Sequence, residues 1–340
     1  MSGYRKILAD IKSKNFKPIY FLHGEEPYFI DLIADYIAEN VLTEEEKSFN
    51  QTVLYGRDVS VDEVVASAKR FPMMAEHQVV ILKEAQGLGT INLQSKLAEF
   101  ENYFKTPQPS TILVICLKYK KADGRKAYFK AAKKNGVVFE SKKLYENKIP
   151  DFIQSSLKSN GYSISHKASF MLTEFLGTDL GKINNELSKL QLIVPKNTEI
   201  TPEIIEQNIG FSKDFNNFEL QNALGKNDFK KAYRIIDYFA QNPKDNPILG
   251  TLPLLFRYFS QILQYHGLKD KSQKNVASKL KIHPFFVKDY TQAARVFPMK
   301  KCSYIIAALR DVDVRVKGVE SSANVTQADF LKELLVKISR

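Results

Sequence analysis

The sequence has few cysteines, few glycines and prolines, and no long apolar run, and each scarcity removes a class of protein. Two cysteines in 340 residues, Cys116 inside an apolar run and Cys302 inside a helical pattern, form neither a metal-ligand nor a redox pair by spacing. A disulfide framework is therefore not expected, and a reducing compartment fits. Fifteen glycines and 13 prolines are too few for a collagenous or low-complexity chain. The longest useful apolar run, Ile112 to Leu117, is far short of the ~20 residues that a membrane helix needs, and it reads as a buried strand. At the N-terminus, Asp10, Lys12 and Lys14 stand where a secretory signal would need uninterrupted apolar side chains. A cytoplasmic protein without a membrane segment is expected.

What is present is a globular composition, with 44% apolar and 26% charged residues, in a chain long enough for two or three folded units. Lys and Arg number 50 against 38 acidic residues, a net charge of +12. The excess is concentrated. Between Lys118 and Lys143, ten basic residues stand against Asp123 and Glu140, so this stretch alone nets +8. Lys118, Lys120, Lys121, Arg125, Lys126, Lys130, Lys133 and Lys134 are the candidate contacts to DNA or to another subunit, because each phosphate neutralised by a cation releases counterions. A solvated helix face accounts for the same pattern equally well.

Hydrophobic periodicity divides the chain. In residues 1–145, short β-rich runs at 18–23, 52–55, 78–82, 111–117 and 137–140 alternate with amphipathic stretches, among them Phe29 to Val41, Val61 to Ala68 and Leu93 to Phe104. Strict alternation argues a parallel sheet covered on both faces. After Tyr145 the strand signals nearly vanish, and helices are expected at 149–159, 165–176, 179–194 and 202–208, the last with Thr201 as a capping hydroxyl before Pro202. The segment 211–217 has weak periodicity and marks a second boundary, beyond which helices follow at 229–241, 247–267, 275–280, 284–295, 300–317 and 327–339. The expected class is α/β plus all-α: residues 1–145 an α/β domain, 146–210 a small helical domain, 211–340 a helical bundle.

A parallel sheet whose first strand runs through a Gly-containing turn into a helix is where a nucleoside triphosphatase carries its phosphate loop. Here the turn is His23-Gly24-Glu25-Glu26-Pro27-Tyr28-Phe29. It has one glycine, no lysine and no hydroxyl, and its two carboxylates would repel phosphates. Gly24, Glu25 and Glu26 thus form a degenerate nucleotide site. Lys83-Glu84 follows the third strand where a magnesium-binding acidic pair would stand, and Glu84 reads as a solvated strand-end carboxylate. No histidine falls at metal spacing, and the five read as surface or satisfied-core residues. Neither a catalytic residue, a metal nor a cofactor is expected.

The segment Phe71-Pro72-Met73-Met74-Ala75 stands out between a helix and the third strand. Proline stops the helix, and two unbranched apolar side chains follow it between charged residues. Such a pair either packs beneath the sheet edge or enters a partner's apolar pocket, to whose shape thioethers adapt.

Three segments, Pro18 to Phe29, Phe71 to Ala75 running into Val79-Val80-Ile81-Leu82, and Gly177 to Leu190, resemble in their order and spacing the delta subunits of the bacterial DNA polymerase III clamp loader, over essentially the whole chain. The resemblance implies an AAA+-like α/β domain without nucleotide activity at 1–145, a helical lid domain at 146–210 and a collar domain at 211–340 that joins a hetero-pentamer. It implies as partners the sliding clamp (beta), the ATPase subunits (gamma/tau), delta prime and, through the assembly, primer-template DNA. The implied role is to bind the clamp and help open it for loading, as a non-catalytic accessory subunit of a DNA-directed DNA polymerase holoenzyme. The clamp-binding residues would be Met73 and Met74, flanked by Phe71, Pro72 and Ala75, where many relatives carry Leu and Phe. The Ser-Arg-Cys arginine-finger motif carried by the family's ATP-binding members does not occur, which agrees with a subunit at the end of the ATPase row. An active AAA+ ATPase and a standalone basic DNA-binding protein are the competing expectations.

Overall fold

The computed structural model describes residues 2–88, 93–210, 212–318 and 325–340. They fall into two compact units, Met1–Leu144 and Tyr145–Arg340. Phe211, within the second boundary expected from sequence, lies outside the described residues.

In the first unit the elements follow in the order α1 (Ser2–Lys12), β1 (Ile19–Gly24), α2 (Pro27–Asn40), α3 (Glu44–Asn50), β2 (Gln51–Tyr55), α4 (Val61–Ala68), β3 (Gln78–Lys83), α5 (Leu93–Lys105), β4 (Thr111–Lys118), α6 (Ala127–Asn135) and β5 (Val137–Ser141). All five strands are parallel, in the order β2-β3-β4-β1-β5. The expected strands lie within a residue or so of those observed.

Both faces of the central strands β1, β3 and β4 are buried, which is why these read as near-continuous apolar runs. Ile19, Phe21, Val80, Leu82, Leu113 and Ile115 pack with Val61, Val64 and Val65 of α4, Phe100 and Phe104 of α5, and Ala131 and Ala132 of α6. The alternate residues, among them Tyr20, Leu22, Val79, Ile81 and Val114, are equally buried. They point to the opposite face, since successive strand side chains alternate, and α2 packs there against β1, β3 and β4.

Three helices of this unit escaped the sequence pattern. α3 (EEEKSFN) has no apolar period, and it starts on a reciprocal capping box between Thr43 and Glu46. α6 buries only Ala131 and Ala132, too little to register as a hydrophobic stripe. α1 does bury Tyr4, Ile7 and Ile11 at helical spacing.

The second unit contains α7 (Ile149–Ser159), β6 (Ser163–Ile164), α8 (His166–Leu176), α9 (Leu180–Ile193), β7 (Glu199–Ile200), α10 (Pro202–Ile209), α11 (Asn217–Gly225), α12 (Phe229–Gln241), α13 (Ile248–Gly267), α14 (Gln273–Leu280), α15 (Val287–Val296), α16 (Met299–Val316) and α17 (Gln327–Ser339). The class expected from sequence, α/β plus all-α, is the one observed. The two-residue parallel ladder β6-β7 was too short to leave a strand pattern, and α11 was not picked out because it follows directly on the weakly periodic segment. The expected helix 284–295 is a 3-10 turn, Pro284–Phe286, followed by α15. Thr201 occupies the position before α10, but its side chain caps no backbone amide. Its hydroxyl instead helps hold the Glu203 carboxyl below the usual range.

Candidate functional site

The two ends of the first unit's sheet differ in character. At the carboxyl ends of the strands lies the crevice where open α/β sheets bind ligands, and here it is filled by the chain itself. Gly24 ends β1 with φ +140°, and a Cβ built on it would lie 2.0 Å from the Ser141 carbonyl oxygen. The turn is therefore drawn tight against β5, with Gly24 N donating to Lys120 O at 3.1 Å and Glu26 N to Ser141 O at 3.3 Å. Glu25 is exposed, whereas Glu26 is buried and caps α2, its carboxylate accepting from Tyr28 N at 3.1 Å. An N-terminus that would attract a phosphate thus already holds a carboxylate.

Behind the turn, Lys118 Nζ lies 2.8 Å from Asp31 Oδ1 and 2.9 Å from Glu84 Oε1, and Lys83 Nζ lies 3.0 Å from Asp35 Oδ1. Burial alone would lower the Lys118 pKa, but its hydrogen bonds to Asp31 and Glu84 outweigh this and hold it above the ordinary lysine value. The Glu84 carboxyl is held low, first by its hydrogen bond with Lys118. Glu84 is a strand-end carboxylate still more than a third exposed, but it is ion-paired and not free as the sequence suggested, and Lys118, largely buried between two acids, is drawn out of the exposed basic field. Neither pairing was legible, because the partners are far apart in the chain. His23 is a satisfied core histidine: its Nδ1 faces Ala122 N at 3.2 Å, and burial lowers its pKa.

The remaining basic candidates, Lys120, Lys121, Arg125, Lys126, Lys130, Lys133 and Lys134, are exposed. Lys121 pairs with Glu140 at 2.9 Å and Arg125 with Asp123 at 3.0 Å. Lys130, Lys133 and Lys134 project from α6, whose opposite side buries Ala131 and Ala132.

The amino ends of β2 and β3 carry the other candidate. The loop before β3 holds Phe71, Met73 and Met74, exposed at 76%, 62% and 102%, with Pro72 and Ala75 half-buried. Packing beneath the sheet edge is ruled out for these methionines. The loop is nonetheless fixed. Asn50, buried at the junction of α3 and β2, accepts from Met73 N at 2.6 Å and donates to Met73 O at 2.9 Å. Met74 adopts φ +53°, a left-handed conformation that is uncommon outside glycine. Sequence reasoning missed Asn50, since its partner lies 23 residues away.

In the second unit, a cavity of about 430 Å³ is lined by residues including Glu174, Asn217, Phe218, Arg257, Tyr258 and His283. Glu174 accepts from Asn217 N at 2.7 Å and Phe218 N at 3.0 Å, which ties α8 to the start of α11. Burial raises its pKa to about 7 against the pull of those two amides.

Among the described residues no group of three or more His, Cys, Asp or Glu side chains could hold a metal ion, and no helix is long and apolar enough to cross a membrane.

Residues 20–142 match the family described as DNA polymerase III, delta subunit, and residues 214–334 match the DNA polymerase III delta subunit, C-terminal domain. The chain is 29% identical over 334 residues to DNA polymerase III subunit delta of Bacillus subtilis, covering 97% of this chain and 96% of that protein. It is 23% identical over 266 residues to the probable DNA polymerase III subunit delta of Aquifex aeolicus, covering 75% and 72%. Among solved structures, the Bacillus subtilis DNA clamp loader delta protein superposes with a TM-score of 0.55 at 27% identity, over 99% of each chain.

Proposed function

The chain belongs to the DNA polymerase III delta subunit family, and from that membership we propose that it binds the sliding clamp (beta) through Met73 and Met74 and helps open it for loading onto primed DNA. The observation that carries this proposal is an exposed methionine pair on a loop whose backbone is fixed by a buried side chain. Preorganisation of that kind lowers the ordering cost of association, and the unbranched thioether chains fill an irregular apolar pocket.

A closed ring whose open form is disfavoured is shifted toward opening by any protein that binds the open geometry better, in proportion to the difference in affinity. No catalysis is needed for this. The subunit supplies binding free energy, while ATP hydrolysis belongs to partner subunits (gamma/tau) that assemble with it and with delta prime into a hetero-pentamer in the cytoplasm. In this reading 1–145 binds the clamp, 146–210 is a lid and 211–340 is the collar that joins the ring. An occupied crevice, with Glu26 at the helix terminus and Lys118 and Lys83 held by carboxylates, supports a subunit without nucleotide turnover of its own. The exposed cations from Lys120 to Lys134 would face the phosphates of the threaded duplex, with no base readout implied.

Direct binding of the purified chain to the sliding clamp of the same organism, in the absence of nucleotide, tests the proposal. A standalone DNA-binding protein would instead bind duplex DNA tightly and salt-dependently without partners.

A further inference from the structure

Most of the large exposed apolar side chains described in the first unit lie on neighbouring elements. Among the described residues of that unit, seven large apolar side chains are exposed: Phe49, Val53, Tyr55, Phe71, Met73, Met74 and Tyr119. All but Tyr119 lie on α3, β2 or the loop before β3. Single exposed apolar residues are ordinary on a soluble surface, but a cluster of them marks an interaction site.

Of the members outside the methionine loop, none of which the clamp-binding proposal uses, Phe49 is the most exposed. It is 73% exposed and immediately precedes Asn50, whose side chain holds both the amide and the carbonyl of Met73. The same Asn50 Nδ2 also donates to Glu46 O at 3.1 Å, so the last turn of α3 and the methionine loop are bound to one side chain. Both lie at the amino ends of adjacent strands, since Gln51 of β2 pairs with Val79 of β3. The carboxyl-end crevice is at the other end of the sheet.

We infer that Phe49 is a second apolar anchor for the sliding clamp, held in fixed register with the Met73–Met74 tip by Asn50, so that the docking surface has two parts. The inference rests on the proposed clamp binding. Its occupant is the same partner, because the end of α3 and the methionine loop lie side by side at the amino ends of adjacent strands and are tied together through Asn50. An aromatic ring added to two flexible thioethers gives the contact a rigid element, and aromatic residues are enriched among interface hot spots.

The test compares the equilibrium affinity of four full-length chains for the sliding clamp of the same organism: the parent, Phe49→Ala, Phe49→Leu and the double change Met73→Ala with Met74→Ala. Melting temperatures are measured alongside. The expected result is that Phe49→Ala weakens binding about tenfold without lowering the melting temperature, and that Phe49→Leu restores most of the loss. Parental affinity for Phe49→Ala, with binding lost in the methionine variant, would overturn the second anchor and leave the clamp-binding proposal standing. Parental affinity for the methionine variant would overturn both. A lowered melting temperature for Phe49→Ala with unchanged affinity would make Phe49 a packing residue and overturn the inference.

Discussion

Asn50 holds Met73 by both of its backbone hydrogen-bonding groups, at 2.6 Å to the amide and 2.9 Å to the carbonyl, from a side chain that is itself buried. A loop that presents two methionines to solvent is therefore pinned at Met73, whose amide and carbonyl are both paired as in a strand. Asn50→Ala should leave two backbone groups of the loop without their partner and cost roughly 1–3 kcal/mol of folding stability. It should also weaken clamp binding more than the stability loss explains, because the tip must then be ordered on binding. Denaturant unfolding together with clamp affinity at a temperature where the variant is fully folded checks this; unchanged affinity would show that the loop needs no fixing.

Gly24 is required by close approach and not by a ligand. Any side chain there meets the Ser141 carbonyl, and φ is +140°. Gly24→Ala should therefore destabilise the first unit by more than about 3 kcal/mol, in the range reserved for backbone strain and steric conflict. Urea unfolding measures it. A variant with parental stability would mean that the turn is loose enough to admit another group.

Lys118 is held between Asp31 and Glu84 with its own side chain 11% exposed. Lys118→Met removes the cation from two carboxylates that remain more than a third exposed, so the cost should be about 1–2 kcal/mol, less than for a fully buried pair. The pH dependence has a definite sign. The Glu84 carboxyl is held low in the folded protein, so its contribution is present at neutral pH and is lost as pH falls through its folded pKa. Lys118→Met should flatten the acid limb of the stability profile. An unchanged acid limb would contradict the pairing.

Much of this was legible in the sequence. The five strands were, because each is a short run rich in β-formers between turn residues, and the central strands β1, β3 and β4 are buried on both faces. The methionine loop was picked out by Pro72 and the flanking charge, but its exposure was not decided there. The side chains that fix the site were hidden: Asn50, Asp31 and Glu84 act through partners distant in the chain, and a lone Asn or Asp carries no periodic signal. Lys118 belonged by spacing to the basic stretch, yet a position at the end of β4, opposite α2, turns it inward.

Glu174 gives the second unit its own pH response. Its pKa rises from the ordinary 4.5 to about 7, chiefly through burial, with Glu219 adding to the effect. Between those values the folded state binds more protons than the unfolded one. Stability should thus fall as pH rises from about 4.5 to about 7 and then level off. Glu174→Gln, which cannot ionise, should remove that slope. Unfolding of the full chain followed from pH 5 to pH 8 provides the comparison, and a variant that keeps the parental slope would place the titration elsewhere.

The affinity of the chain for its sliding clamp, measured for the parent and for Met73→Ser with Met74→Ser, bears on the proposed function more closely than any other quantity. Burial of a methionine side chain contributes roughly 1.5–3 kcal/mol, and about 1.4 kcal/mol is a factor of ten. The double change should therefore weaken binding by about a hundredfold or more. Because both side chains already face solvent, the melting temperature should stay within a degree or two of the parent, as for surface substitutions. A double variant that binds the clamp as tightly as the parent would contradict the proposal outright.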